Sequence, residues 1–205
     1  MRLLLFLPQK FYGTRSNQNH SCGVYFFSGY VTLAFLIAPL IFRLMLRIFR
    51  PHYRLESVTQ LTVEQLGQWN LRSLLLDVDS TLKKYGAAEL SQEVSDWLEE
   101  LKSHQIGLCI VSNGAARRIG PFAESIGLPF IAPAMKPLAV GCRKAMRQQN
   151  FDPKTTAMVG DQIFADIAAA RLAGITAILI KPISPELEPL WTRVKRPFEK
   201  MVNRD

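Results

Sequence analysis

Residues 74–81, Leu74-Leu75-Leu76-Asp77-Val78-Asp79-Ser80-Thr81, decide how the rest of the chain is read. Three leucines in a row predict a strand buried on both faces, as in a parallel sheet. The strand runs straight into two carboxylates, which places them at the carboxyl edge of the sheet, where open α/β sheets bind ligands. Acids two residues apart along an extended chain sit about 6–7 Å from each other. They repel unless a cation or a shared proton intervenes.

Downstream, apolar runs alternate with amphipathic stretches. Ile106 to Val111, Pro129 to Ala132, Thr156 to Val159 and Ala177 to Ile180 read as four further strands. Between them, Leu90, Val94, Trp97, Leu98 and Leu101 form one helical stripe, and Ile119, Phe122, Ala123 and Ile126 another. A helix opening at Lys136-Pro137 and an alanine-rich helix from Ile163 to Ala173 complete the alternation. Upstream, Ser57 to Thr62 reads as a short extended piece, and Thr62 caps a brief helix that Gly67 ends. The expected fold is α/β: a Rossmann-like, doubly wound parallel sheet of five strands.

Charge is divided unevenly. Residues 1–55 hold seven basic residues and no acid, whereas residues 56–205 hold 18 basic and 17 acidic ones. The near-neutral globular part gives no support for nucleic-acid binding. Val24 to Phe42 runs for 19 residues without a charge, and Arg43, Arg47, Arg50 and Arg54 follow it. A helix of that length nearly covers a hydrocarbon core of about 30 Å. We therefore expect an N-terminal apolar helix over 24–42 that attaches the protein to a membrane, with the catalytic part on the cytoplasmic, arginine-rich side. A start at Met45 would instead leave that part soluble and cytoplasmic. The last segment, Glu186 to Val202, is amphipathic and basic. Cys22, Cys109 and Cys142 show no metal-ligand spacing and read as reduced thiols or small hydrophobes.

Four strand ends carry polar groups in chain order: Asp77, Asp79 and Thr81; Ser112 and Asn113; Lys136; then Asp161 with Asp166. Singly, each is an ordinary helix cap, turn or solvated surface group. A parallel sheet brings all four to one edge, and together they suit phosphoryl transfer. Asp77 can attack phosphorus to form an aspartyl-phosphate, and Asp79 can act as acid and then base. Mg²⁺ held by Asp77, the backbone carbonyl of Asp79 and Asp161 would let a carboxylate approach a phosphate dianion. Lys136, the Ser112 hydroxyl and adjacent N–H groups suit the phosphoryl oxygens.

At DVDST (77–81), VSN (111–113), Lys136-Pro137 and GDQIFAD (160–166), the chain resembles the haloacid dehalogenase-like superfamily of phosphohydrolases. The resemblance is to its capless subclass IIIA, of the YqeG type, and covers about Leu44 to Val202. It implies a phosphatase domain over 44–205, preceded by a separate segment, 1–43. It implies Asp77 as nucleophile, Asp79 as acid/base, and Ser112 and Lys136, with Asn113 beside them, as phosphate ligands. Asp77, Asp79 and Asp161 would hold Mg²⁺, with Thr81 and Asp166 in support. The chain departs from the family pattern at Gly114, where an Asn is usual, and at Ala169-Ala170, where a Gly-Gly pair is usual. Intervals of about 30 and about 23 residues between the motifs leave no room for a lid domain. An open site admits large substrates: a phosphoprotein, a nucleic-acid end, a sugar phosphate on an oligomer or a lipid headgroup. YqeG-type relatives include phosphatidylglycerophosphate phosphatases, so among these the resemblance points to an anionic phospholipid as partner. The alternative reading is a non-catalytic phosphatase-like module that binds at the membrane.

Overall fold

The computed structural model describes residues 47–187. The apolar run 24–42 and nearly all of the basic tail lie outside the described residues. Among the described residues, no helix is long and apolar enough to cross a membrane.

All strand pairings are parallel, in the spatial order β1-β6-β5-β2-β3-β4. The strands are β1 (Tyr53–Leu55), β2 (Ser73–Leu76), β3 (Gly107–Val111), β4 (Phe130–Ile131), β5 (Thr156–Gly160) and β6 (Thr176–Ile180). The sheet thus has six strands rather than the expected five. The sixth, β1, is only three residues long and pairs with β6 at the sheet edge. Its hydrogen bonds come from β6, and an isolated half-exposed tripeptide carries no periodicity to read. The extended piece expected over 57–62 is instead a turn of 3₁₀ helix at Val58–Gln60, where the Ser57 hydroxyl accepts from the Thr59 N–H.

The leucines of β2 sort by parity, as the pleat requires. Leu74 and Leu76 join one apolar layer and Leu75 the other, and all three are fully buried. On the first side lie α1 (Val63–Gln68), α2 (Gln92–Ser103) and α3 (Ala116–Ser125), through Leu66, the stripe Val94, Trp97, Leu98 and Leu101, and Ile119 with Phe122. On the second side lie α4 (Val140–Gln149) and α5 (Ala168–Ala173), through Cys142, Ala145, Met146, Ala169 and Ala170. Helix α1 is capped by the Thr62 hydroxyl, as expected, but passes Gly67 and turns at Asn70, whose φ is +53°. Helix α4 opens at Val140, not at Pro137; Lys136-Pro137 belongs to a turn closed by Leu138 N–H donating to Met135 O. Cys109 and Cys142 are buried free thiols whose pKa values burial pushes up to about 12 and about 11, consistent with packing rather than reactivity.

The chain order explains where the site falls. From β2 it steps outward to β3 and β4, then returns to β5 on the other side of β2. β2 therefore sits where the winding reverses, and the crevice beyond its carboxyl end is where such a sheet takes its ligand.

Candidate active site

Asp77 continues directly from β2, its N–H donating to Val159 O at 3.0 Å. The chain then folds back on itself. The Val78 carbonyl accepts from Leu82 N–H and Lys83 N–H, at 3.0 and 3.2 Å, and Ser80 takes a left-handed φ of +62°. This tight loop keeps Asp77 pointing inward and carries Thr81 beneath it. The Thr81 hydroxyl donates to Asp161 Oδ1 at 3.1 Å, linking the ends of β2 and β5.

Asp166 arrives from a wide π-helical turn, Ile163–Ile167, that leads into α5. Such turns often re-aim a side chain at a functional site. One Asp166 oxygen accepts from Gln162 N–H at 3.0 Å. Gly160 makes room for the carboxylate: a Cβ built there would overlap it. Asp77, Asp161 and Asp166 thus form a buried trio whose ligand atoms lie within 4.8 Å of one another.

Lys136 reaches this trio from the turn after β4. Its Nζ donates to Asp77 Oδ1 at 2.6 Å and to Val111 O at 2.7 Å, and sits 2.7 Å from Asp166 Oδ1. The Asp166 contact is a close ion pair without the alignment of a hydrogen bond, so this buried oxygen has no hydrogen-bond donor. Burial works against the Lys136 cation, but Asp166 and Asp77 outweigh it and hold its pKa above the usual lysine range. Burial pushes the Asp77 carboxyl up to about 7; Lys136 pulls it down, and Asp166 and then Asp79 push it up.

Asn113 clamps the Lys136 backbone. Its carboxamide donates to Lys136 O at 2.8 Å and accepts from Lys136 N–H at 2.7 Å. Both ends of the group expected near phosphate are therefore spent on orienting the lysine. Ser112 is buried at the end of β3, its hydroxyl accepting from Gly114 N–H at 3.2 Å.

Asp79 faces the other way. Its two oxygens take a two-pronged contact from Arg118 on α3, at 2.9 and 2.5 Å. The Asp79 side chain is thus taken up by Arg118 and does not belong to the buried acidic trio. Lys83, pinned beside Asp79 by a backbone bridge, donates to Ala87 O and lies 4.6 Å from the centre of the Phe122 ring. Burial lowers its pKa; Asp79 opposes this and Arg118 adds to it.

Sequence reasoning missed Arg118, Lys83 and the space-making roles of Gly114 and Gly160. A Cβ on Gly114 would overlap the Arg118 guanidinium. The departure from the family pattern at this position was the available signal.

The parallel sheet thus gathers Asp77, Lys136, Asp161 and Asp166 at its reversal point. The haloacid dehalogenase-like hydrolase family model matches residues 47–180, and the chain belongs to that family. It is 29% identical over 156 residues to the Bacillus subtilis (strain 168) protein named "Probable phosphatase YqeG", covering 76% of this chain and 90% of that one. Among solved structures, an uncharacterized Listeria monocytogenes serotype 4b protein aligns with a TM-score of 0.46 at 19% identity, over 66% of this chain and all of that one. The cobalt-bound deoxy-D-mannose-octulosonate 8-phosphate phosphatase of Haemophilus influenzae aligns with a TM-score of 0.43 at 17% identity, over 65% and 88%.

Proposed function

We propose that this haloacid dehalogenase-like phosphatase hydrolyses a phosphate monoester through an aspartyl-phosphate on Asp77. The observation that carries this reading is the convergence of Asp77, Asp161 and Asp166 around Lys136 at one sheet edge. Three acids and one lysine leave an excess of negative charge in a buried place, and Asp166 Oδ1 lacks a hydrogen-bond donor. That donor set fits a hard divalent cation. Mg²⁺ held by Asp77, Asp161 and Asp166, with the backbone carbonyl of Asp79, would supply positive charge against the phosphoryl oxygens.

The remaining steps belong to the chain. An Asp77 oxygen attacks phosphorus, and the bond from phosphorus to the alcohol oxygen breaks. When Arg118 turns off it, Asp79 can carry a proton to that departing oxygen, then take one from the water that attacks the aspartyl-phosphate. Inorganic phosphate leaves and Asp77 is restored. Lys136 holds the nucleophile and meets the developing charge, Asn113 fixes the lysine, and Ser112 with its turn receives a phosphoryl oxygen.

The phosphatase named among the relatives supports this reaction class. For the substrate, a phosphorylated lipid headgroup at a membrane is favoured by two features. The run 24–42 precedes an arginine cluster. Met135, Leu138 and Val140 around Lys136 are about half exposed, giving the site an apolar rim. Phosphatidylglycerophosphate is the candidate. The direct test is phosphate release from para-nitrophenyl phosphate with Mg²⁺. We expect turnover that stops with EDTA and returns with added Mg²⁺. A protein that binds the ester without releasing phosphate would be the non-catalytic module.

A further inference from the structure

Arg118, whose guanidinium contacts Asp79, also lines a cavity of about 390 Å³. Its lining includes Lys83, Gly86, Ala87, Arg118, Pro121 and Phe122. Two of these are cations, and no acid lines it. Lys83 is more than nine-tenths buried, and among the described residues no carboxylate lies within ion-pair distance of its Nζ. A buried cation whose close contacts are a carbonyl and an aromatic face, with the Asp79 charge acting from beyond ion-pair distance and shared with Arg118, is incompletely compensated. Arg118 is shared between the cavity and Asp79, and its side chain is 43% exposed, so it can turn from one to the other. Gly114 leaves the space its guanidinium occupies.

Position gives the cavity a meaning that rests on the phosphatase reading above. The acid that protonates the departing alcohol must face it, so the alcohol of the ester lies on the Asp79 side of phosphorus. We propose that this cavity receives the alcohol portion of the substrate, and that Lys83 and Arg118 there bind a second anionic group carried by that alcohol. The preferred substrates are then phosphate monoesters whose leaving group bears another phosphate or a carboxylate. Phe122 and Pro121 accommodate the carbon chain between the two anions.

The test compares 1-propyl phosphate with 1,3-propanediol bisphosphate, which share a three-carbon alcohol and differ in the second anion. With excess Mg²⁺, the bisphosphate should show a kcat/KM higher by at least about tenfold beyond its twofold statistical factor. Arg118→Gln and Lys83→Met should each shrink that ratio, and Arg118→Lys should keep part of it. Affinities of both compounds for the Asp77→Asn protein, measured by calorimetry, make a second arm that needs no turnover. Tighter bisphosphate binding that disappears in Asp77→Asn/Arg118→Gln supports the subsite even if neither ester is hydrolysed, an outcome that would count against the phosphatase reading alone. Equal affinity and equal turnover of the two compounds, or a ratio untouched by Arg118→Gln and Lys83→Met, would overturn the subsite.

Discussion

The inner and outer halves of the site are built differently. Inside, the side chains of Lys136 and Asp166 are 2% and 1% exposed, and each group is fixed by the strand or turn that carries it. Outside, Asp79 and Arg118 form a pair that water reaches. The inner half holds its charges in low dielectric, where geometry cannot drift and electrostatic contacts are strong. The outer half rests on a two-pronged contact that can be traded for another anion. On the proposed function, chemistry common to every phosphate ester belongs to the first, and discrimination among alcohols to the second.

The comparison can be broken at its strongest point first. Asp77→Asn keeps the shape of the inner half but removes its nucleophile, and phosphate release should fall by at least about 10³-fold. Gly160→Ala attacks the same half indirectly. Its Cβ displaces the Asp166 carboxylate, so the Mg²⁺ concentration for half-maximal activity should rise by about 10–100-fold. If Gly160→Ala leaves the Mg²⁺ requirement as it was, Asp166 is not part of the cation site.

A milder change separates the halves. Gly114→Ala crowds Arg118 and lies 2.9 Å from Ile119 side-chain atoms, while the amide that donates to Ser112 is retained. The preference for a bis-anionic ester should drop by about fivefold with the Mg²⁺ requirement unchanged, measured by the same pair of propyl esters. A shifted Mg²⁺ requirement would mean that the halves are not separable.

The smallest effect is expected at the opposite edge of the sheet, far from both halves. His52 Nδ1 accepts from Ala177 N–H at 2.8 Å, so the ring must be neutral there. Burial, and then Arg171, hold its pKa below the ordinary imidazole value of about 6.5. The unfolded chain therefore takes up the proton first. The stability contributed by the neutral ring is complete above about pH 6.5 and is lost as the pH falls through the folded value. His52→Asn retains an acceptor and should flatten the decline of Tm between pH 7 and pH 5, with activity at pH 7 unaffected. An unaltered decline would assign it to other groups.

What the sequence carried, and what it did not, follows the same division. Leu74 to Leu76 announce β2 because a strand buried on both faces must be apolar throughout, and every strand end that carries an inner-site group could be ordered from that start. The family resemblance gave Asp166 a supporting part, but the π-turn that carries it into the trio was not legible, because a helical pattern does not reveal one. β1 was not legible, since Tyr53 is ordered by stacking on Trp69, a contact 16 positions away in sequence, and by pairing with β6. Arg118 was not legible either. It is 39 positions from Asp79, and nothing local distinguishes it from the neighbouring Arg117. Backbone-determined groups can be read from pattern; side-chain partners across the fold cannot.

The most direct measurement is chemical trapping of the intermediate. The protein is mixed with Mg²⁺ and a phosphate monoester, quenched, reduced with borohydride and digested, and the peptides are weighed. Reduction of an aspartyl-phosphate yields homoserine, so the account predicts that mass change at residue 77 and no other aspartate. Turnover with an unmodified Asp77, or with the change at Asp79, Asp161 or Asp166, would contradict it.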